Sequence, residues 1–138
     1  MRNCYNYATS NLRPIKHISP IPTEHAEQCQ LVEYLEIRGL LFSATMQETY
    51  TMSIGQKMKH KRSGLRKGLP DMFVFITAEK SKTDLPVLLA IEMKRTKDSK
   101  TGEEQQEWIS SLDSVAGVYA AVCKGFDEAR GFVDSCLK

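Results

Sequence analysis

The sequence has little that would staple or anchor it. Its four cysteines, Cys4, Cys29, Cys123 and Cys136, are far apart and form no CxxC pair. The histidines, His17, His25 and His60, show no metal-ligand spacing either. A zinc site needs clustered sulfur and nitrogen donors, so that class is excluded, and the cysteines read as free thiols in a reducing cytosol. No apolar run approaches the roughly 18 residues of a transmembrane helix. The opening MRNCYNYATSNLRP has no apolar stretch of the secretory type. The expectation is a cytoplasmic protein with no membrane partner. There is no internal repeat and no low-complexity tract, and Trp108 is the single tryptophan. What remains is 138 residues, 41% hydrophobic and 26% charged, which suits one globular domain and excludes whole-chain disorder.

A second absence is local. Residues 55–70 contain no acid at all, yet carry Lys57, Lys59, Lys61, Arg62, Arg66 and Lys67, with His60 among them. These are six of the 19 Lys and Arg residues, leaving 13 against 17 acids elsewhere. The formal charge of +2 is therefore a +6 segment attached to a −4 body. Clustered cations of this kind suit a polyanion, because each phosphate contact releases counterions. A solvated basic loop without a partner is the plainer alternative. His60 reads as phosphate-facing or solvated rather than as a general base.

Periodicity predicts the elements. Residues 1–22, with Pro14, Pro20 and Pro22, read as an irregular arm, and residues 23–138 as a single domain. Thr23 is an N-cap for a helix that Gly39 ends, with first-turn acids Glu24 and Glu27. Leu40 to Met46 reads as a strand. The basic stretch from Gln56 to Lys67 has room for a short helix. Met72–Thr77 and Val87–Met93 are apolar strands, Glu103–Leu112 a helix, Val118–Cys123 a third buried strand and Asp127–Leu137 a final helix. The order is α-β-β-β-α-β-α, and non-alternating apolar strands imply a sheet covered by helices on both faces.

Charged groups sit where this pattern makes them costly. Asp71 stands at the start of the strand MFVFIT. Glu92 and Lys94, two apart, share one face at the end of VLLAIEMK, and Met93 takes the other. A carboxylate after five apolar residues carries a desolvation cost that needs pairing, metal or solvent to offset it. Carboxylates from neighbouring strands make an oxygen site for a hard divalent ion such as Mg²⁺. A nearby lysine can hold a water or a phosphate oxygen. Together these suit metal-assisted hydrolysis of a phosphodiester. Glu24, Gln28, Leu31 and Leu35 are spaced along one helical face, so Glu24 is preferred over Glu27 as a third acid. Gln105 and Trp108 also share a face; Trp108 reads as core.

The pattern Pro70-Asp71, then Glu92-x-Lys94, resembles the PD-(D/E)xK nuclease superfamily, and the element order matches its core. GLPDMFVF, IEMKR and EEQQEW resemble more narrowly the VRR-NUC family, from about Thr23 to the C-terminus. The resemblance implies an α/β restriction-endonuclease-like core: a central mixed sheet of about four strands flanked by helices. It implies a Mg²⁺- or Mn²⁺-dependent endonuclease acting on branched, flapped or four-way junction DNA, working as a homodimer in a bacterial or phage-infected cell. Asp71, Glu92, Glu24 and the Met93 carbonyl would be metal ligands. Lys94 and Gln105 would complete the catalytic set, with Gln28, Gly68 and Pro70 in support. The basic residues from Lys57 to Lys67 would follow the DNA backbone. In the family a polar, often Asn-containing segment follows the first strand. Here MQETYT stands there, with Gln47, Glu48 and Tyr50 as its polar groups. The competing readings are a sequence-directed endonuclease, a non-catalytic nucleic-acid binder on the same scaffold, and a protein-interaction domain.

Overall fold

The computed structural model describes residues 21–45, 53–96 and 99–138. The arm up to residue 20 and the segment with Gln47, Glu48 and Tyr50 lie outside the described residues. The elements are α1 (Glu24–Ile37), β1 (Leu41–Ala44), α2 (Ile54–Arg62), β2 (Met72–Ile76), β3 (Val87–Lys94), α3 (Glu103–Asp113), β4 (Val118–Lys124) and α4 (Gly125–Cys136). No helix among the described residues is long and apolar enough to cross a membrane.

Local chemistry sets the helix ends. The Thr23 hydroxyl accepts from the Ala26 N–H at 3.1 Å and starts α1. Gly39, at φ +60°, ends it, and Lys80 donates to the freed carbonyls of Arg38 and Gly39. The basic stretch does form a helix, α2, begun by a capping box. Gln56 N donates to the Ser53 hydroxyl at 3.3 Å, and Ser53 N donates to the Gln56 amide oxygen at 3.1 Å.

The last helix begins at Gly125, two residues before the expected Asp127. The reason is tertiary. Glu27, buried on α1, accepts the Phe126 N–H at 2.5 Å and satisfies the first turn of α4. Gly125, at φ +83°, lets the chain turn in beside that carboxylate.

The sheet order is β1-β2-β3-β4. The first two pairings are antiparallel and β3–β4 is parallel, the crossover being made by α3. The register aligns Met72, Val74 and Ile76 with Ile91, Leu89 and Val87. That face, with Met93 and Cys123, packs against Leu31 and Leu35 of α1 and Ala129 and Val133 of α4 as the core. Burial, with the Glu128 charge adding to it, pushes the Cys123 thiol up to about 12, so it acts as a small apolar side chain. Cys29, Cys123 and Cys136 are free thiols, and Cys4 lies outside the described residues.

The opposite face is only partly covered. Helix α3 packs on β3 and β4. Leu41 and Phe75, register partners on that same face, stay 71% and 45% exposed. Among the described residues, helices lie over both faces at β3 and β4, and none is described over Leu41 and Phe75.

The Glu27–Phe126 bond joins residues 99 apart in sequence. Glu27→Ala leaves a part-buried N–H without its acceptor. It should lower unfolding stability by about 2 kcal/mol in urea titrations. Glu33→Ala, at an exposed position of the same helix, should change it by less than about 0.5 kcal/mol. Equal effects of the two substitutions would remove the capping role.

Candidate active site

The site forms where the start of β2 meets the end of β3. In the antiparallel register Met72 pairs with Ile91, so Asp71 comes level with the Glu92–Met93 peptide. The Asp71 carboxylate accepts the Met93 N–H at 2.7 Å through Oδ2. Asp71 is also held from behind: its carbonyl accepts the Thr45 N–H at 2.8 Å, and the Thr45 hydroxyl donates to the Pro70 carbonyl at 2.7 Å. Thr45 gave no signal in the sequence, because its partners are 25 residues away or more.

Glu92 follows the apolar run of β3 into the protein, and its side chain is 1% exposed. Lys94, its side chain 12% exposed, donates through Nζ to Glu92 Oε1 at 2.7 Å. The Gln105 amide of α3 makes a short hydrogen bond to the same oxygen. Its carbonyl end accepts the Gly102 N–H at 2.9 Å, so one side chain both starts α3 and ties it to Glu92. Among the described residues, Glu92 Oε2 is buried and has no hydrogen-bond donor.

Burial raises both the Asp71 and the Glu92 carboxyls above the ordinary carboxylate range. For Asp71 the Met93 N–H opposes that rise, and for Glu92 the Lys94 hydrogen bond does so. The negative charge of Glu24 lies close enough to raise both further. The two carboxyls also interact directly through their side chains. This is one cation set against a concentration of acids in a desolvated place, and it favours either a proton or a cation.

Glu24 thus shares the field of the site, while Glu27 is committed to α4. Among the described residues there is nonetheless no ready-made cluster of three metal-ligating side chains. Glu24, half-buried on the first turn of α1, stands near the pair without completing it, as expected of carboxylates that repel one another. Gln28, one turn on, is half-buried. Met93 enters through its N–H.

Gly68 shows why this loop lies against α3. Its φ is +82°, and a Cβ there would sit 2.7 Å from the Glu104 carbonyl carbon and 2.9 Å from the Gln105 nitrogen. Only glycine lets the loop approach the α3 backbone this closely. Pro70 behind it is buried.

The basic residues lie on α2 and the turn after it. Lys57, Lys61, Arg66 and Lys67 line a groove of about 810 Å³ between α2 and α3; Lys59 and Arg62 are exposed outside it, and His60 is half-buried in the last turn of α2. Trp108 is not in the core as expected. It is half-buried at this groove, with its indole N–H donating to the Lys67 carbonyl at 2.8 Å. A buried indole needs a partner for that N–H, and the loop carbonyl supplies it at the helix edge.

The mixed sheet, with its acidic pair and lysine at one edge, defines a restriction-endonuclease-like α/β core. Residues 16–127 match the family model of the VRR-NUC domain, and the chain belongs to that family of nucleases. A solved structure of a VRR_NUC domain protein shares the fold, with a TM-score of 0.53 at 21% identity over 83% of this chain and 87% of its own. No curated protein matches the chain.

Two outcomes follow from this geometry. A carboxyl raised in the folded state disfavours folding above its folded pKa, and the penalty fades as pH falls toward the ordinary carboxylate range. In EDTA at pH 8, Glu92→Gln should melt above the wild type, with the gap narrowing at pH 5. A variant that melts lower at both values contradicts the desolvated-charge description. Gly68→Ala combines a positive φ with a backbone clash and should cost about 2 kcal/mol or more by urea unfolding. A cost below about 0.5 kcal/mol would mean that the loop does not need this approach to α3.

Proposed function

We propose that the chain is a metal-dependent DNA endonuclease selective for branched, flapped or four-way junction DNA. The observation that carries this reading is the half-buried Asp71 carboxyl against the buried Glu92, whose Oε2 meets no N–H donor among the described residues while Lys94 holds Oε1. The donor set fits a hard divalent cation, since it offers carboxylate oxygens of net negative charge and an oxygen without a hydrogen bond. Asp71 and Glu92, assisted by Glu24 and the Met93 carbonyl, would hold one or two Mg²⁺ or Mn²⁺ ions. Such an ion supplies Lewis acidity and a bound water of lowered pKa.

The chain's own groups do the positioning. Lys94, partly open to solvent, orients the attacking water and offsets negative charge building on the phosphate. Gln105 fixes Oε1 of Glu92, so that the other oxygen stays directed to the ligand. Asp71 is kept in place by the Met93 N–H on one side and by Thr45 on the other. Lys57, Lys59, His60, Lys61, Arg62, Arg66 and Lys67 contact the sugar-phosphate backbone, which gives affinity with little sequence readout.

The domain runs from residue 23 to 138 and acts in the cytoplasm. A homodimer would present two sites related by a two-fold axis, as a symmetric junction requires. Against a non-catalytic binder stands the full set of Asp71, Glu92 and Lys94 at one edge.

The test is cleavage of linear duplex, flap and four-way junction DNA in Mg²⁺, Mn²⁺ or EDTA. Cutting should require metal and favour the branched substrates. Asp71→Ala, Glu92→Ala and Lys94→Ala should each lower the rate by roughly a hundredfold or more. Cleavage in EDTA, or wild-type rates in all three variants, would overturn the assignment. Equal cutting of linear and branched DNA would remove the selectivity.

A further inference from the structure

Helix α2 has an unusual exterior. None of its nine residues is buried, yet it carries Ile54 and Met58, one turn apart, at 81% and 54% exposure. Both line the groove between α2 and α3, together with Leu65 and Trp108. Exposed apolar pairs on an otherwise cationic helix are unfavourable in water, and four apolar side chains converging on one concave surface suggest a flat apolar ligand. Lys57, Lys61 and Arg66 stand around them. Glu104 and Glu107 of α3 form the other lip. The groove's volume of about 810 Å³ suits a small ligand group and not the width of a duplex.

We propose that this groove binds an unpaired nucleotide of a DNA strand, the base lying against Trp108, Met58 and Leu65 and its phosphates on Lys57 and Lys61. Stacking on an aromatic ring with lysines along the backbone is how single strands are held without sequence preference. Charge decides the occupant. The groove itself sets four cations, Lys57, Lys61, Arg66 and Lys67, against Glu104 and Glu107, and this excess of positive charge favours a polyanion over an apolar peptide. Position gives the groove its use. Trp108 is one helical turn from Gln105, which contacts Glu92, and Lys67, whose carbonyl holds the Trp108 indole, adjoins Gly68 of the site loop. Along α3 the three residues from Gln105 to Trp108 rise only about 4.5 Å. An unpaired nucleotide seated here therefore lies next to the strand segment at the carboxylates. The inference rests on the nuclease reading and specifies its substrate as DNA with unpaired nucleotides beside the cut.

Because Trp108 is the single tryptophan, its fluorescence reports the groove directly. The full chain, in EDTA, is titrated with a single-stranded oligothymidylate of about ten nucleotides, a blunt duplex, a duplex bearing a single-stranded tail, and a polyglutamate peptide of equal charge. The single strand and the tailed duplex should quench Trp108 saturably, and the blunt duplex and the peptide should not. In anisotropy titrations with a labelled single strand, Ile54→Ser combined with Met58→Ser should weaken binding roughly tenfold with every charge retained. Both positions are exposed, so the variant keeps the fold. Equal quenching by blunt duplex or by polyglutamate, or unchanged affinity in the double variant, would overturn the proposal. Working without metal keeps the two readings apart. Quenching without any metal-dependent cleavage leaves the groove and removes the nuclease. Cleavage without quenching does the reverse.

Discussion

The constraint on which the site depends is the burial of one carboxylate. Glu92 follows five apolar residues near the end of β3, and its side chain is 1% exposed. Two donors, Lys94 and Gln105, meet the same oxygen, and the second oxygen has none. Asp71 and Glu24 bring further negative charge to the same place. A buried charge without full compensation is destabilising, so a neutral residue at position 92 would make a more comfortable protein. That cost is intelligible under the proposed cation site, where a bound ion would offset the acids.

The same constraint organises the surroundings. Gln105 can reach Glu92 only if α3 begins where it does, and the Gln105 side-chain Oε1 sets that beginning by accepting the Gly102 N–H. Gly68 lets the Pro70-Asp71 loop lie on the α3 backbone, and Trp108 fastens the same loop one turn further along. Loop, helix and strand end are thus one unit, and the basic α2 is joined to it through residues 63–67. The division of charge seen in the sequence has a spatial meaning. Lys57, Lys61, Arg66 and Lys67 line a groove beside α3, and Asp71, Glu92 and Glu24 come together at the strand ends.

The three apolar strands β2, β3 and β4 and the acidic pair were legible because buried strands are apolar runs and a charged residue within one stands out. Gly68, Pro70, Asp71, Glu92 and Lys94 carried enough pattern to indicate a family. What was not legible depended on partners distant in sequence. Glu24 and Glu27 occupy the same first turn, and helical spacing alone weighs them only slightly differently. The N-terminus of α4, supplied 99 residues later, is what takes Glu27. Trp108 looked like core because it sits on an apolar helical face, but its N–H found the Lys67 carbonyl. The α2 capping box, Ser53 with Gln56, sets the helix start that the basic composition alone left open.

The central claim is that the Asp71–Glu92 edge is a divalent-cation site. The most direct measurement is anomalous scattering from a crystal of the chain soaked in Mn²⁺. The account predicts a peak in coordinating contact with Glu92 Oε2 and the Asp71 carboxylate, with Lys94 still on Glu92 Oε1. A fully occupied peak elsewhere, with the Asp71–Glu92 edge unchanged and metal-free, would contradict it.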